Sequence, residues 1–311
     1  MITTVTLNAS IDKAYYLDKP LIPGSVMRVK KTINTAGGKG LNVAKIIKLC
    51  GNSVTATGLI GGFNGHYLED LLQKAHIPFE FTEIAGETRS CINILESAYG
   101  STEFLEEGCE VLESEMVDFM MTYRRLLSKS DVVVISGSIP KGADDAIYAV
   151  LIELAKKSHK KVILDSSGSS FKKGLMAKPT LVKPNKDELE AFFNVKLSSF
   201  EEIVKYAKKL AAIGIDYVAV SLGSDGALLI HQGIVYRAAA PQIDPVNTVG
   251  CGDAMVGAFA VGLEKNKTPK DCLRYAVAAG TANALSPSTG DFKQEDLDWI
   301  YQEVQVEILD V

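Results

Sequence analysis

Short apolar runs typical of buried strands alternate along most of the chain with segments that have helical hydrophobic spacing. The strand-like runs cover residues 2–7, 54–60, 132–135, 162–164 and 217–222. Between them lie helical stripes, such as the one formed by Leu68, Leu71, Leu72 and Ala75 at i, i+3, i+4 and i+7. Strands and helices that alternate at this spacing indicate right-handed βαβ units. The sequence therefore predicts an α/β fold with a mainly parallel sheet.

Polar residues or glycines directly follow several of these strands. They are Asp12, Gly61, Ser136, Asp165, Asn185 and Gly223. In parallel sheets, ligands bind beyond the carboxyl ends of the strands. The convergence of polar groups at that edge favours an enzyme whose site lies there.

Two further segments alternate more weakly and fall outside the βαβ pattern. Residues 14–33 are interrupted by Pro20, Pro23 and Gly24, and residues 87–95 and 102–105 predict a hairpin that turns near Tyr99. Short strands joined by proline and glycine turns indicate a small sheet outside the main core.

The run from Asn247 to Ala258 carries the strongest functional signal. Gly250 and Gly252 precede an apolar stretch that predicts a buried helix. A helix N-terminus has unpaired N–H groups and partial positive charge, so it can hold an anion, and glycines let the anion come close. Asp253 would repel that anion unless it takes a proton from an attacking hydroxyl, as a base does in phosphoryl transfer. The alternative is an N-terminal aspartate that stabilises an ordinary core helix.

A second glycine-rich stretch covers residues 35–44. It contains Gly37, Gly38 and Gly40 around Lys39, followed by Asn42. At the start of a helix this combination predicts a cradle for a polyol or a phosphate, although such glycines also serve simple chain reversal. Gly250 and Gly252 lack the third glycine of the dinucleotide-binding pattern, and the sequence contains no P-loop motif. We therefore expect another kind of phosphate site.

Composition narrows the class of protein. A chain of 311 residues with 47% apolar residues suits one large α/β domain, with or without a small appendage. The net charge of −5 argues against nucleic-acid binding. The five cysteines form no Cys-x-x-Cys pair, and no apolar run reaches transmembrane length. We therefore expect no structural zinc, no membrane association and a cytoplasmic location.

The two glycine-rich stretches, in this order, resemble the two signatures of the ribokinase-like (PfkB) carbohydrate kinases, and the resemblance covers nearly the whole chain. It implies a three-layer α/β sandwich with a mainly parallel central sheet and a small β-sheet lid. Residues 1–311 would form a single kinase domain, with lid strands from about residues 13–34 and 88–106.

The resemblance also implies roles for individual residues. Asp253 would be the general base, and the N–H groups of Gly250, Cys251 and Gly252 would neutralise the transferred phosphoryl group. Glu188 would organise Mg²⁺ through water, since one carboxylate suffices for an ion that keeps several waters. ATP would contact Lys183, Asn185, Ser221, Gly223, Gly226 and Asn283, and the sugar would contact Asp12, Gly38, Asn42 and Ser136.

Arg89 narrows the implied substrate, because a sugar that already carries a phosphate needs a cationic partner. Arg28 and Lys39 could complete that site. Residues 86–92 and 136–142 are similar to the tagatose-6-phosphate kinase and 1-phosphofructokinase branch. The implied reaction is ATP-dependent phosphorylation of a ketohexose monophosphate, with tagatose 6-phosphate as first choice and fructose 1-phosphate as the alternative. More distant alternatives are a free-sugar kinase and a non-catalytic sugar-phosphate sensor. Exposed lid edges also predict a homodimer through the lid.

Cys251 departs from the family pattern, in which alanine or serine is commoner. Its side chain is small enough for the site, and its backbone N–H is unchanged. Because a helix N-terminus lowers the pKa of a thiol, the position suggests sensitivity to oxidation. The alternative, which we favour, is that Cys251 is only a small filler.

Overall fold

A ten-stranded sheet forms the centre of the protein in a computed structural model that describes residues 1–96 and 100–310. The strands of the described residues are β1 (Ile2–Thr6), β2 (Ser10–Tyr16), β3 (Lys31–Gly37), β4 (Val54–Ile60), β5 (Thr82–Glu83), β6 (Arg89–Glu96), β7 (Gly100–Leu105), β8 (Val132–Ser136), β9 (Lys161–Asp165), β10 (Leu181–Val182), β11 (Tyr217–Ser221), β12 (Ala227–His231), β13 (Ile234–Ala239) and β14 (Gln305–Leu309). The central sheet has the order β5-β4-β1-β8-β9-β10-β11-β12-β13-β14.

The helices of the described residues are α1 (Lys39–Leu49), α2 (Gly62–Lys74), α3 (Glu113–Leu127), α4 (Ile147–Lys157), α5 (Gly168–Met176), α6 (Lys186–Phe193), α7 (Phe200–Ala211), α8 (Cys251–Glu264), α9 (Pro269–Leu285) and α10 (Gln294–Glu303). Thr268 caps the start of α9 and Ser199 caps α7, as their sequences predict. Among the described residues, no helix combines the length and the apolar character that a membrane span requires.

In the order of the sheet, each strand from β5 through β4, β1, β8, β9 and β10 to β11 runs parallel to its neighbour. Strands β12, β13 and β14 extend the sheet with antiparallel pairings. Successive residues of β8 enter two different apolar clusters, Val132 and Val134 on one face and Val133 and Ile135 on the other. Helices α1, α8 and α9 contribute to the first cluster, and α3, α4 and α7 to the second. The predicted α/β sandwich with a mainly parallel sheet is confirmed.

A separate four-stranded sheet, which we call the lid, has the order β3-β2-β6-β7. Strand β2 pairs antiparallel with β3 and parallel with β6, and β6 pairs antiparallel with β7. The predicted turn near Tyr99 lies outside the described residues. The sequence predicted that Asp12 directly follows a strand. It lies instead within β2, where it pairs with Thr35 and Cys91. The assignment of residues 1–311 to a single domain stays a prediction.

Candidate active site

Two adjoining cavities lie at the carboxyl edge of the parallel strands. The larger, of about 590 Å³, is bounded by the lid on one side and by α1, α8 and the ends of β8 and β9 on the other. The smaller, of about 390 Å³, lies beside α8 and α9. Asn185, Ser221 and Gly252 line both cavities. A group transferred between two bound molecules would therefore pass near Gly252.

The N-terminus of α8 forms an anion site between the cavities. Gly250 caps the helix with φ 83°, and a Cβ there would lie 2.5 Å from Thr289. The first-turn N–H groups of an α-helix lack intrahelical partners and carry partial positive charge. A Cβ on Gly252 would lie 3.2 Å from Lys183 Nζ, so an ammonium group stands beside this first turn. The helix end and the lysine together favour a phosphoryl group.

Asp253 faces the larger cavity from the first turn of α8 and is only 7% exposed. Asn42 Nδ2 donates a hydrogen bond of 2.9 Å to its Oδ2. Burial and, to a smaller extent, the charge of Asp165 raise the pKa of Asp253 to about 6, although Lys39, Asn42 and Lys183 oppose the rise. A carboxylate with this pKa is ionised at neutral pH and still basic enough to accept a proton.

Asp165, at the end of β9, pairs with two lysines, and all three residues line the larger cavity. Its Oδ2 lies 3.4 Å from Lys39 Nζ and its Oδ1 lies 3.6 Å from Lys183 Nζ. Burial alone would raise the pKa of Asp165, but Lys183 and Lys39 hold it below its ordinary value. The same ion pair raises the pKa of Lys39. The sequence predicts that Asp165 follows a buried strand, but it does not predict a role for Asp165 in the site.

Glu188 and Asn185 form a capping box at the start of α6. Asn185 Oδ1 accepts a hydrogen bond from Glu188 N (2.8 Å), and Glu188 Oε2 accepts one from Asn185 N (2.9 Å). Glu188 Oε1 lies 4.0 Å from Lys39 Nζ in the larger cavity. In the described part of the chain, no three His, Cys, Asp or Glu residues converge as direct metal ligands. One carboxylate beside phosphate oxygens nevertheless suits Mg²⁺, which keeps several waters.

Arg89 lies where the lid meets the core. Its Nε and Nη2 donate to Asn8 O (3.2 and 3.1 Å), and its Nη1 donates to Glu106 O (2.8 Å). Asp12 stands nearby on β2, where burial raises its pKa although Ser10 Oγ donates a hydrogen bond of 2.6 Å. Both Arg89 and Asp12 line the larger cavity. The lid therefore offers one guanidinium and one carboxylate to a ligand that carries a phosphate and hydroxyl groups.

The smaller cavity has an apolar lining that includes Ile243, Met255 and Val277. Gly223 and Gly226 form one of its walls with φ values of 63° and 87°. A largely apolar slot next to an anion site fits a flat nucleotide base whose phosphates lie at the helix end.

The structure brings most of the predicted site residues together. Those that line the larger cavity are Asp12, Gly38, Lys39, Asn42, Arg89, Lys183, Asn185, Glu188, Ser221, Gly250, Gly252 and Asp253. Gly223, Gly226 and Cys251 line the smaller cavity. Their functional roles stay predictions.

Three predicted contacts are not supported by the geometry. Ser136 is completely buried, and the cavity is lined instead by Gly137 and Ser138. Arg28 is exposed between β2 and β3 and, among the described residues, does not line either cavity.

Asn283, predicted to contact ATP, is also completely buried. Its Nδ2 donates to Val249 O (3.0 Å), and its Oδ1 accepts from Gly290 N (3.0 Å) and Asp291 N (3.3 Å). The amide is thus fully engaged in joining the loop before α8 to the loop after α9. These contacts favour a role for Asn283 in supporting the anion site from behind.

Cys251 is the first residue of α8 and lines the smaller cavity. Its N–H donates to Thr248 O at 3.4 Å, so this group is already engaged and the N–H groups that follow it are the better anion donors. Burial and the charge of Asp253 raise the pKa of the Cys251 thiol, although Asn283 opposes them. A thiol with a raised pKa is less reactive, which favours the filler role.

Residues 5–296 match the family described as pfkB family carbohydrate kinase. A tagatose-6-phosphate kinase from Staphylococcus epidermidis is 39% identical over 309 residues, which cover 98% of this chain and 99% of the relative. Phosphofructokinase-2 from Escherichia coli, solved in complex with potassium, has a TM-score of 0.91 at 31% identity, with 97% and 98% of the two chains covered. A tetrameric inhibited form of the same enzyme has a TM-score of 0.90 at 32% identity, with the same coverage. This chain belongs to the pfkB family of carbohydrate kinases.

Proposed function

We propose that this protein transfers a phosphoryl group from ATP to a ketohexose monophosphate and that its substrate is tagatose 6-phosphate, which it converts to tagatose 1,6-bisphosphate. The observation that carries the proposal is the buried Asp253 beside the cationic helix end of α8, in a cavity that also contains Arg89. The relative of 39% identity, a tagatose-6-phosphate kinase, supports this choice of sugar.

The larger cavity would hold the phosphosugar between the lid and α8. Arg89 would bind its phosphate, since a guanidinium matches phosphate oxygens in charge and geometry. Asp12 and Asn42 would orient the sugar hydroxyls and direct the terminal hydroxyl to Asp253. Asp253 would then accept the hydroxyl proton through Oδ1, because Oδ2 is already bonded to Asn42.

The smaller cavity would hold the adenine of ATP, with the phosphates at the N-terminus of α8. Lys183 and the free N–H groups of the first turn would bind the migrating phosphoryl group as it gains negative charge. Glu188 would hold Mg²⁺ through water near Lys39. When bound, Mg²⁺–ATP supplies the phosphoryl group, and the metal ion neutralises part of the phosphate charge.

A substrate panel tests the proposal. The purified protein is assayed for ADP release with Mg²⁺–ATP and tagatose 6-phosphate, fructose 1-phosphate, fructose 6-phosphate, free tagatose, ribose or adenosine. We expect the highest kcat/KM with tagatose 6-phosphate and a bisphosphate product by mass spectrometry. Higher turnover of ribose or adenosine than of every phosphosugar would refute the phosphosugar assignment.

Fructose 1-phosphate is the second candidate substrate. Residues 86–92 and 136–142 are similar to both members of the branch, and both sugars carry a phosphate at one end and a primary hydroxyl at the other. A higher kcat/KM with fructose 1-phosphate would change the substrate and leave the mechanism intact. Binding of ATP and phosphosugar without any turnover would instead indicate a sugar-phosphate sensor.

We also propose that the enzyme works in the cytoplasm as a homodimer paired through the lid. All five cysteines are unpaired, which fits a reducing compartment. The lid edge strand β7 exposes Phe104 and Leu105, with 55% and 63% of their surfaces accessible, and exposed edges invite pairing. Size-exclusion chromatography with light scattering should give twice the chain mass, and a monomer at micromolar concentration would exclude this dimer.

A further inference from the structure

Lys45 lies on α1, one helical turn beyond Asn42. Its Nζ donates a hydrogen bond of 3.2 Å to Asn42 Oδ1, while Asn42 Nδ2 donates to Asp253 Oδ2 at 2.9 Å. The Asn42 amide is therefore held at both ends, with an ammonium group at its oxygen and a carboxylate at its nitrogen. The flipped amide would place NH₂ against the ammonium and oxygen against the carboxylate, and neither pair can form a hydrogen bond.

The charge of Lys45 acts on carboxylates from three other elements. They are Asp12 on β2, Asp253 on α8 and Asp291 in the loop after α9. Burial lowers the pKa of Lys45, and these three carboxylates oppose that effect. Among the described residues, Lys45 does not line the larger cavity. Its influence on a bound sugar must therefore pass through its neighbours.

The surroundings leave Asn42 little freedom to find another arrangement. The side chain is 6% exposed, and the loop after α9 lies directly on it. A Cβ on Gly290 would be 3.2 Å from Asn42 Cα. Because packing restricts the position of Asn42, its remaining freedom is the direction in which its amide points, and Lys45 and Asp253 both favour the observed direction.

We infer that Lys45 is a positioning residue for the general base. By holding the oxygen of Asn42, it directs the NH₂ group onto Oδ2 of Asp253 and leaves Oδ1 of that carboxylate for the sugar hydroxyl. This inference rests on the proposed role of Asp253. A displacement of about 1 Å in a catalytic group can lower a rate by about 10²-fold, so the support of Asn42 matters for kcat.

The test compares Lys45→Met and Lys45→Arg with the wild type, with Lys48→Met as the control. Lys48 is exposed in the last turn of the same helix, so its substitution removes an equal charge without touching Asn42. Lys45→Met should lower kcat for the phosphosugar by about 10- to 100-fold with little change in KM, because base alignment is lost and binding is not. Lys45→Arg should recover most of the lost kcat, and Lys48→Met should match the wild type.

Three results would overturn the inference. The first is a normal kcat in Lys45→Met, and the second is a loss confined to KM, which would make Lys45 a binding group. The third is an arginine variant that is folded yet as slow as the methionine variant. If Lys45→Met does not fold, Lys45→Gln replaces it, because a neutral amide can meet either orientation of Asn42. Its kcat should also fall, and a wild-type kcat would contradict the inference.

A crystal structure of the folded neutral variant gives a readout that needs no substrate. The Asn42 side chain should have left Oδ2 of Asp253 or lost its single orientation, and an unchanged contact of about 2.9 Å would refute the role of Lys45. If the wild type turns over no phosphosugar, the proposed function fails, while this structure still decides whether Lys45 holds Asn42 in place.

Discussion

Replacing Asp253 by asparagine should abolish turnover and at the same time stabilise the fold. Asparagine has nearly the same shape and keeps an oxygen that can accept the Asn42 hydrogen bond, but it carries no charge. Burial and the neighbouring Asp165 raise the pKa of Asp253 from 3.8 to about 6. A difference of about 2 pKa units, at 1.36 kcal/mol each, corresponds to ~3 kcal/mol of free energy of unfolding. The wild type loses this stability by holding the ionised carboxylate in a buried site.

The sign of the pH dependence follows from linkage. Because the folded-state pKa lies above the unfolded value, the folded protein binds the proton more tightly, and the penalty for the ionised carboxylate is complete only above pH 6. It shrinks as the pH falls and is absent below the unfolded pKa. Asp253→Asn should therefore raise the free energy of unfolding by ~3 kcal/mol at pH 7.5 and by about 1 kcal/mol at pH 4.5.

Urea unfolding of both proteins at pH 7.5 and pH 4.5 measures this difference. Asp70→Asn, at an exposed position of α2, is the matched control and should leave stability and activity unchanged. Loss of a general base lowers kcat by about 10²–10⁴-fold. Normal turnover by Asp253→Asn would remove the base assignment. Equal stability of variant and wild type at pH 7.5 would show that the carboxylate carries no burial penalty.

Three other substitutions test the charges around the base. Asp165→Asn removes a negative charge that raises the pKa of Asp253, so the acid limb of the kcat–pH profile should move to lower pH. A shift to higher pH would contradict this electrostatic effect. Glu188→Gln should raise the Mg²⁺ concentration needed for half-maximal rate, and an unchanged Mg²⁺ requirement would exclude Glu188 from the metal site. Arg89→Ala should reduce kcat/KM for the phosphosugar by a factor that corresponds to about 2–5 kcal/mol, because the phosphate loses its cationic partner. An equal loss with the unphosphorylated sugar would indicate that Arg89 only joins the lid to the core.

The parts of the site that could be predicted from sequence are those in which residue type and local spacing carry the information. Alternating strand-like and helix-like runs predicted the parallel sheet, and polar residues after those runs pointed to its carboxyl edge. Gly250 and Gly252 identified the start of α8 because a close approach to an anion excludes side chains. These features are local, so each can be read from a few neighbouring residues.

Pairings between distant elements could not be predicted in this way. Asp165 meets Lys39 from α1 and Lys183 after β10, and nothing in the residues around Asp165 indicates either partner. Asn283 shows the converse case. The family resemblance implied that it contacts ATP, but its buried amide forms hydrogen bonds with backbone groups of two loops. Whether a polar side chain serves a ligand or the fold depends on what surrounds it in space.

Asp165 also explains how one site can attract phosphates and keep a working base. The helix end of α8, Lys39 and Lys183 all favour negative charge, as phosphoryl transfer requires. Burial is the main reason that the pKa of Asp253 is raised, whereas the same two lysines lower that pKa and so weaken the carboxylate as a base. Asp165 binds both lysines and itself raises the pKa of Asp253, so it offsets part of their effect on the base. Asp165, although almost completely buried, would thus adjust the balance between holding the phosphoryl group and accepting the proton.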